Sequence, residues 1–174
     1  MDVATDFALT GTLIINAGGS LTDASGGSAY ELNMTTTAKL ILNGGDLSIE
    51  DTLSARNTSS IEVKACDTLT TGTLIIQNNA TFSVDSCAAM IVNGDLFLEN
   101  DLTNTVNGYI RVNGDVEARN AASISGDGNL STSGSITYFN TAAIFGSSTD
   151  CATGPCFVGT GFPLPIELLY FREI

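Results

Sequence analysis

"IEVKAC" (61–66) and "FSVDSC" (82–87) share one pattern: apolar, any, Val, any, any, Cys, repeated 21 residues apart. The match extends without a gap to DTLSARNTSSIEVKAC (51–66) and GTLIIQNNATFSVDSC (72–87). GDLFLEN (94–100), GDVEARN (114–120) and GSITYFN (134–140) open in the same way. Upstream, YELNMTTTAKLIL (30–42) fits one period before Asp51, and GTLIINAGGSL (11–21) one period before that. Unit starts at 11, 30, 51, 72, 94, 114 and 134 give spacings of 19, 21, 21, 22, 20 and 20. A near-constant period of this size marks a repeat architecture.

Each unit carries apolar-x-apolar triplets, as in Leu74/Ile76, Phe82/Val84 and Met90/Val92 of the unit at 72. The unit at 94 gives Leu96/Leu98 and Ile110/Val112 with a less regular middle. Alternation with period two marks a strand with one buried face. Three short strands cannot enclose a core alone. Wrapped as a triangular coil and stacked about 4.8 Å apart, they can. The expected fold is all-β: a three-sided parallel β-solenoid, or β-helix, of about seven coils with a C-terminal extended tail. A β-sandwich also uses short alternating strands, but it does not predict corner residues in register.

Such corner residues are present. Asn57, Asn78, Asn100, Asn120 and Asn140 all hold the seventh place of their units. Asn tolerates the left-handed backbone that a sharp corner needs. Stacked, their amides are expected to turn inward and bond along the axis as an asparagine ladder, a feature of the parallel β-helices this chain resembles. Gly72, Gly94, Gly114 and Gly134 mark a second corner, where positive φ or close backbone approach is required. Residues one unit apart lie above one another, within disulfide reach. Cys66 and Cys87 therefore read as a coil-to-coil staple, and CATGPC closes a small loop through Cys151 and Cys156. The same register sets Lys64 against Asp85 and Arg119 against Glu99. Two disulfides imply an oxidising, extracytoplasmic location.

The 174 residues suit one domain. A net charge of −13 argues against a nucleic-acid binder that neutralises phosphates. No run of 18 apolar residues is present, so membrane insertion is not expected. The start, MDVATDFALT, lacks the basic and apolar regions of a signal peptide. Histidine is absent, which removes the commonest general base and metal ligand. Asp95 and Asp115 stack in the second place of adjacent units. Such a pair suits Ca²⁺ or glycosidase chemistry, but on so acidic a chain it reads as a solvated face. The six Lys and Arg residues share no column. No catalytic residue, cofactor or metal is expected, and the protein reads as a non-enzyme.

All three prolines lie in the last 20 residues, a shift that divides the chain into a solenoid domain (1–150) and a disulfide loop with extended segment (151–174). In that segment Pro163, Leu164, Pro165, Ile166, Leu168, Tyr170 and Phe171 form an apolar, stiffened stretch suited to assembly. It either adds as a strand to a neighbouring subunit or folds back over its own last coil.

LPIELLYF (164–171) resembles the LPIELLSF-type segment of secreted and surface proteins of Bacteroidota. The 21-residue units resemble, by pattern, the β-helical regions of the same proteins. The resemblance implies export by type IX secretion, although no sorting domain follows Ile174. It also makes Thr52 and Thr68, each in an Asp-Thr-Leu triplet, candidates for O-glycosylation. The expected function is that of an extracellular structural protein. It would be a subunit of a self-assembling surface filament or adhesin stalk built by end-to-end stacking. The expected partners are further copies of itself and surface glycans. Two alternatives stand: a carbohydrate-binding or polysaccharide-cleaving β-helix, or a passive module of a longer adhesin.

Overall fold

The computed structural model describes residues 2–3, 6–23, 30–100 and 103–159. They form a parallel β-solenoid with three sides, and no helix occurs among them. One side stacks Phe7–Leu9, Leu32–Met34, the second half of Asp46–Ala55, the second half of Thr68–Asn78, Leu96–Asn100, Val116–Arg119 and Ile136–Tyr138. The next stacks Thr12–Asn16, Lys39–Asn43, Ser60–Lys64, Thr81–Val84, Thr103–Val106, Ser123–Ser125 and Ala143–Ile144. The third runs from Asp2–Val3 and Ser20–Asp23, through the first halves of the two long strands, to Ala89–Val92, Tyr109–Val112 and Asn129–Thr132. All these pairings are parallel, as the repeats predict.

Because register is kept from coil to coil, every inward residue rests on its counterpart in the next. On the first side the column Phe7, Leu32, Leu53, Leu74, Leu96, Val116, Ile136 runs the length of the solenoid. From Leu32 onward its members are at most 1% exposed. Burying each such side chain contributes about 1.5–3 kcal/mol. The alternation of Leu, Ile and Val with polar residues is therefore what sets the register. A slip of one residue would turn the whole column outward.

The first unit departs from its expected phase. Phe7, not Leu13, pairs with Leu32, while Leu13 pairs with Leu40 on the next side. The spacing of the first step is thus 25 residues rather than 19. Thr12–Asn16 satisfies the alternating pattern of any of the three sides, so the pattern alone could not say which one it occupies.

The corners differ in chemistry. At the glycine corner the coils approach so closely that a Cβ on Gly72 would lie 2.2 Å from the Glu50 carbonyl oxygen. On Gly114 it would lie 2.7 Å from the Gly94 carbonyl oxygen. Close approach, not positive φ, is what demands glycine there. The gain is a backbone ladder: Gly94 N–H donates to Gly72 O (2.6 Å) and Gly114 N–H to Gly94 O (2.9 Å). At the opposite corner Asn57, Asn78, Asn120 and Asn140 have φ of 60, 59, 61 and 59°. Thr36 joins this column at φ 61°. The third corner holds the Cys66–Cys87 disulfide, with Cα atoms 4.5 Å apart.

Candidate functional site

The two ends of the solenoid are built differently. At the N-terminal end, among the described residues, strands Phe7–Leu9 and Thr12–Asn16 each pair on one side only. Among the described residues nothing pairs with their outer edges, and an unpaired edge is a template for another strand. Phe7 and Leu13 head two core columns yet are only half-buried, because no coil rests on them among the described residues. With Ile14, Ile15 and Leu21 they line an apolar pocket of about 290 Å³. Ile14 is 50% exposed.

At the C-terminal end the chain reverses and closes its own core. Ser147 bridges back to Ile144, and Cys151 to Ile136. Cys156–Gly159 then adds antiparallel to Asn129–Thr132, placing Val158 on Leu130 and Cys156 on Thr132. The Cys151–Cys156 disulfide ties this return together. Leu130, Ile136 and Ile144 are consequently fully buried. Residues 151–159, beyond the boundary expected at residue 150, pair with the solenoid's own strands, and residues 160–174 lie outside the described residues.

The corner asparagines do not form the inward ladder expected of them. Asn57, Asn78, Asn120 and Asn140 are exposed, and the contact between Asn78 Nδ2 and Asn57 Oδ1 is a long 3.5 Å. Asn100 pairs with Asn78 through the backbone, and its side chain lies outside the described residues. The left-handed backbone points these side chains away from the core, so their role is conformational. The inward amide is instead Asn104, fully buried in the column between Phe82 and Ile124. Its Oδ1 accepts from Phe82 N–H (2.9 Å) and its Nδ2 donates to Ser123 O (3.1 Å), so it joins three successive coils. Leaving one such buried group unmatched costs about 1–3 kcal/mol. The irregular middle of the unit at 94 is the sequence trace of this residue.

Asp95 and Asp115 do stack, and each accepts a backbone bond from the following coil. Asp115 N–H donates to Asp95 Oδ1 (2.8 Å), and Ser135 N–H and Oγ donate to Asp115 Oδ1 (2.6 and 2.9 Å). The Ser135 backbone bond, with its hydroxyl, holds the Asp115 carboxyl below the usual range. These carboxylates pin coils together. Among the described residues no group of three His, Cys, Asp or Glu side chains is placed to hold a metal.

Lys64 does not turn to Asp85. Its Nζ lies 2.5 Å from Glu62 of its own strand, which also pairs with Lys39. The two ammonium groups hold the Glu62 carboxyl down, Lys39 foremost. Arg119 meets Glu99 at 3.6 Å, pairs with Glu117, and lies over the Phe139 ring at 4.9 Å. Glu99 in turn accepts from Gln77 Nε2 (2.7 Å).

No protein-family model, curated protein or solved structure matches this chain. Of the remaining expected sites, Thr68 is exposed, and the half-buried Thr52 donates its hydroxyl to Asp51 (3.0 Å). Pro163, Leu164, Pro165, Ile166, Leu168, Tyr170 and Phe171 lie outside the described residues. The feature with interaction chemistry is therefore the open N-terminal end. The repeats imply terminal coils with unpaired edges, but not which residues form the pocket, because its apolar residues match those of every other coil.

Proposed function

We propose that this protein is a structural module of an extracellular or cell-surface assembly, a rigid segment of a filament or adhesin stalk. Its work is mechanical and non-enzymatic. The observation that supports this most is the asymmetry of the ends. One closes on itself, and the other offers open edges and an apolar pocket. A contact between unlike ends does not close, and so it propagates as a filament. The two disulfides fit an oxidising compartment. The partners of this reading are further copies of the chain and, at a bacterial surface reached by type IX export, glycans.

Light scattering and negative-stain microscopy of the purified full chain test it. Linear oligomers that lengthen with concentration are expected. A species that stays monomeric at every concentration would sink the assembly reading.

A further inference from the structure

The closed C-terminal end raises a difficulty for simple stacking. A neighbour's coil cannot continue the core there, because residues 147–159 already occupy the place of the next coil. Junctions between copies must form in another way. Resting on the end-to-end reading above, we infer that the open N-terminal end of each copy receives the C-terminal segment of the next, residues 166–171, as an added strand.

Three observations lead to this pairing. First, the described chain ends at Gly159, in the strand that covers the closed end. Residues 160–174 therefore start from the end opposite the pocket. Second, the segment matches what the pocket lacks. Each strand of a side contributes two inward side chains spaced by one residue, as Leu13 and Ile15 do. Ile166, Leu168 and Tyr170 alternate in the same way. Added to an open edge, such a strand satisfies backbone groups and covers apolar side chains together. Pro163 and Pro165, which cannot donate to a ladder, stand before it and keep the approach extended.

Third, reach distinguishes a neighbour's pocket from the chain's own. From the last coil to the first are six strand spacings, about 29 Å. A fully extended chain covers that in about nine residues. Starting from Gly159, the segment 166–171 would be largely spent in transit and could not lie whole in its own pocket. Nor is it needed over its own last coil, which residues 147–159 already cover. A second copy, with its open end set against the closed end of the first, requires no such crossing.

Complementation between two full-length variants tests the pairing. Ile14→Asp places a charge in the pocket, and Ile166→Asp places one in the segment. Each variant alone should remain monomeric. Mixed in equal amounts, they should form a dimer and stop, because only one intact pocket meets one intact segment. The apparent mass should double from 18.0 kDa. Ile14→Lys and Leu168→Asp should behave in the same way, and unchanged circular dichroism reports that each variant is folded. Failure of the folded variants to dimerise would overturn the pairing. Polymers formed by wild type and by both single variants would also overturn it, while leaving end-to-end assembly intact. A monomeric wild type would overturn both.

Discussion

Leu13 and Ile144 stand at the two ends of one core column, six strand spacings apart, and they meet opposite fates. Ile144 is fully buried because the chain turns at Gly146 and Ser147 bridges back over it. Leu13 is half-buried because, among the described residues, its strand has a neighbour on one side only. The same contrast holds for Ile136 and Phe7. Column position therefore does not determine burial in a solenoid; what lies beyond the last coil does. One end covers its apolar surface within the molecule, while the other leaves part of it uncovered among the described residues.

The contrast is most directly broken by truncating the two column ends. Ile144→Ala removes a fully buried side chain and should destabilise by about 2–5 kcal/mol. Leu13→Ala, half-buried from the start, should cost about 1.5 kcal/mol or less. Urea unfolding of dilute protein measures both. Equal losses would mean that the open end is as well packed as the closed one.

A smaller effect is expected from the cap's tether. Replacing Cys151 and Cys156 together by Ser releases a short loop, worth about 2 kcal/mol by chain entropy. Hydrogen exchange should quicken at the Ile144 and Ile136 amides, which donate to Ser147 and Cys151. The Lys39 amide, bonded to Gly11 near the open end, should not change. Uniform acceleration would show that the cap is not a local device.

The smallest effect separates the corner column's two ends. Thr36, near the open end, holds the same left-handed φ as Asn140 near the closed end, but with a β-branched side chain. Thr36→Asn should stabilise by about 1 kcal/mol, and Asn140→Thr should destabilise by a similar amount. Thermal midpoints that do not move would mean that these corners are not under backbone strain.

Much of this fold is legible in the sequence because stacking converts a spatial neighbour into a fixed sequence interval. Cys66 and Cys87, 21 residues apart, sit in contact for that reason. The same property hid the placement of the first coil. Three sides that use one alternating pattern leave Thr12–Asn16 without a mark of which side it belongs to. The corner asparagines show a second limit. Their spacing discloses the left-handed turn, but not that this turn faces the amides outward. Asn104 is the reverse case, a polar residue at an inward position, and only its contacts with Phe82 and Ser123 explain it. A fold-back over the last coil is expected of the proline-rich segment, whereas residues 147–159 supply it, since their antiparallel strand breaks the period of the repeats. An open end follows from any stack of coils, but its residues carry no mark of it, because it is defined by the lack of a neighbour among the described residues.

The coil-to-coil hydrogen bonds at two of the corners bear on how the protein ages. An asparagine followed by glycine is the step at which a chain most readily deamidates, since the glycine nitrogen can attack the preceding side-chain carbonyl and close a five-membered ring. This chain carries four such steps, at Asn43, Asn93, Asn107 and Asn113. In each, the glycine N–H is already held: Gly44 by Asp67 Oδ2 (2.5 Å), Gly94 by Gly72 O (2.6 Å), Gly108 by Val84 O (3.3 Å) and Gly114 by Gly94 O (2.9 Å). Ring closure would require breaking a coil-to-coil bond and swinging a nitrogen that its neighbours confine. The hydrogen bonds that set the stacking thus also slow a chemical clock.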